Sequence, residues 1–189
     1  HALSGEQEMT AMGGLRSKIP HTYRTMLLAT IAIAGVPFFS GFFSKDQILA
    51  ETFVGGHPVL WALAALTAGL TAFYMFRAVF MTFLGKSNVD PHVEKGIHGP
   101  PLSMSGVLAV LAVGSVVGGL IGLPKFWRDL VGVSAPFYDF LAPVLGHFTE
   151  RSGVDHHAEA WLMIVAVALA LGGITLAWLF YSRHPEWPQ

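Results

Sequence analysis

The chain has 189 residues, 53% of them hydrophobic and only 12% charged, with a mean hydropathy of +0.55. Ordinary soluble domains carry about one-quarter charged residues, so this is the composition of a membrane protein. A net charge of −1 offers no basic surface for nucleic acid. The lack of any cysteine excludes disulfides, thiolate metal sites and cysteine-held iron–sulfur clusters.

Residues 1–22 read as a loop that starts at His1 with neither an initiator Met nor a signal-peptide pattern, so a fragment or processed chain is expected. Four apolar stretches then approach or exceed the roughly 20 residues a helix needs to cross a bilayer. They lie at 23–53, 58–83, 102–123 and 160–181. The last three read as ordinary spans. The first is interrupted midway by Gly35, Pro37 and Gly41, and proline removes a backbone donor and clashes with the preceding turn. Unbroken, it would be roughly 46 Å long against a hydrocarbon core of roughly 30 Å. A discontinuous helix is therefore predicted, with halves from Tyr23 to Gly35 and from Ser44 to Phe53 and the break at Pro37 and Gly41. Irregular backbone at membrane depth must face protein or a water-lined cavity.

Residues 84–101 form a polar loop, and 124–159 a long segment rich in aromatics and punctuated by Pro136 and Pro143. Trp and Tyr concentrate at headgroup level, so this segment reads as interfacial, with a re-entrant course as an alternative. Lys and Arg set the orientation. Arg16, Lys18, Arg24, Lys86, Lys95 and Arg183 fall on one side; Lys125, Arg128 and Arg151 fall on the other. The positive-inside rule places the first side, and both chain ends, in the cytoplasm, and the second in the periplasm. The fold class is thus all-α, a polytopic transmembrane bundle with one discontinuous helix.

Lys45 and Asp46 stand side by side in the second half of the broken element, where an ionisable group costs at least about 2.5 to 3.5 kcal/mol. Three readings are open. Lys45 can snorkel, but the end of its half-helix lies about 12 Å away along the axis, beyond a lysine stem. It can pair structurally with Asp46, although neighbours on a helix point about 100° apart. Or it can carry a proton: burial penalises a charged lysine, a nearby carboxylate favours it, and an alternation between the two loads and unloads the amine. Discontinuous transporter helices place their half-helix ends at such sites.

The strings HALSGEQEMTAMGGLRSKIP and AIAGVPFFSGFFSKDQIL, followed by TAFYMFRAVFMTFLG and IHGPPLSM, carry a family resemblance. They resemble the antiporter-like subunit L family of bacterial NADH–quinone oxidoreductase, respiratory complex I. The likeness is densest over residues 1–85 and diffuse after Leu123. It implies that the four spans are the family's twelfth to fifteenth helices, that Lys45 is its terminal proton-channel lysine, and that Asp46 is the acidic neighbour. His1 matches a histidine at the cytoplasmic end of the preceding helix. Gln47 stands where many members have Glu, and Val36-Pro37-Phe38 replaces a commoner Ile-Pro-Pro.

On that resemblance the expected function is proton translocation in a complex that couples NADH oxidation and quinone reduction to pumping. The partners would be other membrane-arm subunits, above all the neighbouring antiporter-like one, and the location the bacterial inner membrane. NADH, FMN, iron–sulfur clusters and quinone are expected elsewhere in the complex, with no cofactor or metal in this chain. The rivals are the large subunit of a multisubunit Na⁺/H⁺ antiporter or a related membrane hydrogenase, and a structural scaffold without pumping.

Other features are weaker. Arg77, about six residues from the cytoplasmic end of its span, reads as a headgroup anchor or a member of the proton network. Gly114, Gly118 and Gly122 form a small-residue stripe suited to helix packing. His156-His157 lacks the spacing of a zinc site, and no nucleotide-binding motif is present.

Overall fold

A computed structural model describes residues 3, 5–123, 127–128, 132, 136–145 and 156–187. Among these every regular element is helical. Helix α1 is Pro20–Ala34, α2 Ser40–Val54, α3 Pro58–Phe83, α4 Pro91–Glu94, α5 Leu102–Val117, α6 Pro136–Leu145 and α7 His156–Trp178. A 3₁₀ turn, Gly118–Gly122, extends α5, and a π-helical turn, Leu179–Arg183, extends α7. Among the described residues, three helical stretches are long and apolar enough to cross a membrane: Pro58–Phe83, Leu102–Gly122 and Ala160–Arg183.

The first apolar stretch is split. Helices α1 and α2 have 15 residues each, about 22 Å apiece and too short to span alone. Proline at its first turn starts α1, where the missing N–H costs nothing. Gly35 ends it in the left-handed region, φ 80°, with its N–H turned back to the carbonyls of Ile31 and Ala32. Phe38, φ 73°, turns the chain again before α2 begins. The break therefore occupies Gly35 to Phe39, and α2 starts four residues earlier than the sequence suggested. Gly41 does not belong to the break. It lies in the first turn of α2, where a Cβ would come within 2.1 Å of the Ala32 carbonyl oxygen, so its hydrogen lets α2 back directly onto α1.

Close glycine contacts also fix the other helices, though not through the predicted stripe. A Cβ on Gly114 would meet nothing within 4 Å, and those on Gly118 and Gly122 would make only ordinary contacts. Gly119, between them, is the close-packed one: its Cβ would lie 2.5 Å from Phe43 and 2.8 Å from Ser40 Cα. Beside it, the Ser40 hydroxyl donates to the Ser115 carbonyl at 2.9 Å. Helices α3 and α7 meet along Gly69 and Gly173, where a Cβ on Gly173 would be 2.3 Å from the Gly69 carbonyl oxygen. Without a hydrophobic force between helices in lipid, such backbone approach is a main source of association. Gly173→Ala is expected to lower stability by about 1 to 3 kcal/mol, as overpacking does. Adjacent Gly172, with open space around it, should tolerate alanine. Thermal unfolding of the two variants in the intact protein checks the contrast.

The polar segments gather on one side. The Gly14 and Arg16 amides donate to Leu84 and Phe83, the Asn88 amide donates to Met12, and Lys18 pairs with Glu94 at 3.2 Å. Arg16, Lys18 and Lys86 thus belong to one surface. The turn after α7 lies toward the same end of α3, with Phe73 against Phe180 and Tyr181. Long apolar side chains such as Leu63, Leu66 and Leu70 on α3 and Val107, Val110 and Val113 on α5 are exposed, as suits faces turned to lipid or to further membrane protein. His1 and most of the long 124–159 segment, including its re-entrant alternative, lie outside the described residues.

Candidate functional site: the lysine at the helix break

In α1 the Ile33 carbonyl would ordinarily accept the amide hydrogen four residues on. That residue is Pro37, which has none. The Lys45 ammonium, one turn into α2, donates to the Ile33 carbonyl in its place. The negative end of the α1 dipole lies at the same point and favours a cation. A Cβ on Gly35 would sit 3.4 Å from Lys45 Cδ, an ordinary contact, so glycine is required there by its left-handed φ of 80° and not by space. The ammonium therefore turns inward to the break, not out to the interface, and snorkelling does not describe it. Sequence spacing carries this signal, because the proline lies four residues after the carbonyl it leaves open.

Lys45 and Asp46 both line a small chamber of about 20 Å³. Its other walls come from the end of α1 at Ala34 and Gly35, from Ala68 on α3 and from Ala166 and Ala170 on α7. A cavity needs about 10 to 15 Å³ to hold one water, so this one has room for a single molecule. Helix rotation explains how adjacent residues share it: Lys45 and Asp46 flank the α2 face that buries Phe42 and Leu49. The opposite face carries Ser40, Ser44 and Gln47 toward a separate groove of about 510 Å³ beside Gly118 and Gly119. The break itself is covered by aromatic rings, with Phe38, Phe42 and Phe43 edge-on to Trp127 at 5.8 to 6.0 Å.

Arg77 is not brought to Lys45. It lies nine residues beyond Ala68 on α3, about 13 Å along the axis. There its guanidinium carbon stands 5.3 Å from the centre of the Tyr181 ring, a cation–π contact, with Nε buried and lacking a hydrogen-bond partner among the described residues. On the same turn His184 stacks on Trp187 at 4.5 Å, and Arg183 lies over Trp178. The exposed Glu186 carboxyl is held below the usual carboxylate range by a backbone hydrogen bond and by His184. Aromatic and basic side chains grouped in this way suit the membrane–water boundary. The contributions of Ala68, Ala166 and Ala170 are invisible in sequence, since each is one alanine in an apolar helix.

A lysine on an open helix-end carbonyl, beside a chamber of about 20 Å³ at the break between two apolar half-helices, marks a cationic site within a membrane-protein bundle. Comparison with known proteins places it more closely. Residues 1–71 match the family of NADH:quinone oxidoreductase/Mrp antiporter transmembrane proteins, and the chain belongs to that family as an integral membrane member. It is similar to NADH-quinone oxidoreductase subunit L of Rhodobacter capsulatus, with 39% identity over 77% of this chain and 22% of the relative. It is also similar to subunit L of Mycobacterium tuberculosis, at 38% over 98% of this chain and 28% of the relative. NAD(P)H-quinone oxidoreductase chain 5 of a Picosynechococcus strain matches at 39% over 94% of this chain and 28% of the relative. The chain spans about a quarter of the length of these relatives.

Proposed function

We propose that this chain is the part of an antiporter-like complex I subunit that carries the outer end of one proton pathway, with Lys45 as the proton carrier. The observation behind the reading is the Lys45 ammonium on the carbonyl that Pro37 leaves open. That acceptor holds the charged amine, and rearrangement of the break withdraws it, so the proton can be loaded and released in turn. Asp46 shapes the field at the same chamber. Histidine His1, at the far end of the chain, and Arg77 belong to the cytoplasmic approach in this reading.

NADH oxidation and quinone reduction take place elsewhere in the assembly, on subunits that bind NADH, FMN, iron–sulfur clusters and quinone. The neighbouring antiporter-like subunit is the direct partner. The membrane is the bacterial inner membrane, with the surface of Arg16, Lys18 and Lys86 cytoplasmic by the positive-inside rule. The family's description also names Mrp antiporters, but a chamber of about 20 Å³ favours a proton over a sodium ion. A sodium ion would need several oxygens to replace its hydration shell.

Lys45→Ala in the intact complex tests the proposal through protons moved per NADH oxidised. The ratio is expected to fall while the complex assembles. An unchanged ratio in a normally assembled complex would refute the carrier role and leave a structural scaffold.

A further inference from the structure

We infer that the exposed face of α3 around Leu70 and Tyr74 is the seat of another transmembrane helix of the assembly, and that this helix sets a carboxylate against Arg77. The inference rests on the chain being one part of a membrane assembly, and not on Lys45 as the carrier.

Leu63, Leu66, Leu70 and Tyr74 follow one another on α3 at intervals of three, four and four residues, and Arg77 comes three further on. That spacing sets all five along one side of the helix. The first four are half exposed, from 50% at Tyr74 to 58% at Leu66. The opposite side is the one that buries Ala65, Ala72, Phe76 and Val79. Arg77 lies six residues before the end of α3 at Phe83, about 9 Å along the axis.

Leucines alone would suit lipid, and Arg77 is what decides against it. Among the described residues it has no ion pair and no hydrogen bond, and its Nε is buried. Its guanidinium is not stretched toward the headgroups. It lies 5.3 Å from the centre of the Tyr181 ring, which also touches Phe73, one turn deeper in α3. An aromatic ring attracts the charge but accepts none of the guanidinium hydrogens in the way an oxygen does. Charged side chains within membrane helices face the interior of a bundle and find their partners there. A carboxylate fits the guanidinium through two parallel hydrogen bonds. A helix that brings one to Arg77 lies along α3, over the leucines of the same side.

In the intact complex, the photoreactive amino acid p-benzoylphenylalanine is placed at Leu70 and, separately, at Tyr74, and its adducts are mapped by mass spectrometry after irradiation. Both positions are expected to mark the same transmembrane segment, with an Asp or Glu within about one helical turn of the level of Arg77. Adducts with lipid alone, or with a segment that carries no such acid, overturn the inference. Arg77→Glu is then expected to lower the unfolding temperature of the complex by several degrees, and changing the marked acid to Arg in the same complex to recover most of that loss. Should Arg77→Glu not assemble, recovery of assembly by the double variant is the readout. An unfolding temperature unchanged by Arg77→Glu, or a loss that the double variant does not recover, means that the two charges do not meet. A Lys45→Ala complex that pumps normally would refute the carrier and leave this face as it is, so the two readings fail separately.

Discussion

Lys45→Arg is expected to stop proton transfer at the helix break while leaving the protein folded and assembled. The arginine guanidinium stays charged and has donors enough to reach the Ile33 carbonyl that Lys45 now holds. Every structural service of the lysine, satisfying that carbonyl and placing a cation at the end of α1, is therefore kept. What changes is the cost of giving up a proton. The reference gap between arginine and lysine is at least about 2 pKa units, equal to about 3 kcal/mol or a hundredfold in the population of the neutral form. Protons moved per NADH oxidised in the reconstituted complex should drop as far as they do in Lys45→Ala. Thermal stability should stay nearer wild type than in Lys45→Ala, which leaves the carbonyl without its donor. A scaffold role predicts the opposite ranking, with arginine pumping normally, so the two substitutions together separate charge from proton release.

The membrane class and the all-α fold were legible because they depend on sums over many residues. Apolar length and scarce charge are read directly from sequence, and the Pro58–Phe83 helix contains 26 residues of it. The discontinuity in the first apolar stretch was legible from Pro37 alone, since no context returns an N–H to proline. Its location was not. Gly35 and Gly41 look equivalent in sequence, yet one ends α1 in the left-handed region and the other is a contact surface inside α2. A glycine can serve either need, and which one applies is set by the distance between two helices. The same holds for Gly119, which packs closely where its neighbours at regular spacing do not. The chamber around Lys45 was the least legible part of the site, because four separate elements build it and two of its walls are unremarkable alanines.

Gly41→Ala is the substitution expected to link the packing of the two half-helices to the carrier site. The added methyl would lie 2.1 Å from the Ala32 carbonyl oxygen and 2.9 Å from its carbon. Both atoms are backbone, in the last turn of α1, so no side chain can swing aside to make room. Helix α2 must move away, and its displacement carries Lys45 with it. The acceptor of the Lys45 ammonium, Ile33, is the residue next to Ala32, so a separation that relieves the clash also stretches that hydrogen bond. Stability is expected to fall by about 1 to 3 kcal/mol from overpacking. The surviving complex should also pump fewer protons per NADH oxidised, although residue 41 has no ionisable group. Gly118→Ala is the matched control on the partner surface, because its methyl would sit 3.8 Å from Ser40 Cβ in ordinary contact. Thermal unfolding and proton translocation measured on both variants decide the matter. A Gly41→Ala complex with wild-type stability and pumping would show that α2 can retreat from α1 without disturbing Lys45, and the close seating of the two halves would then have no part in the proton site.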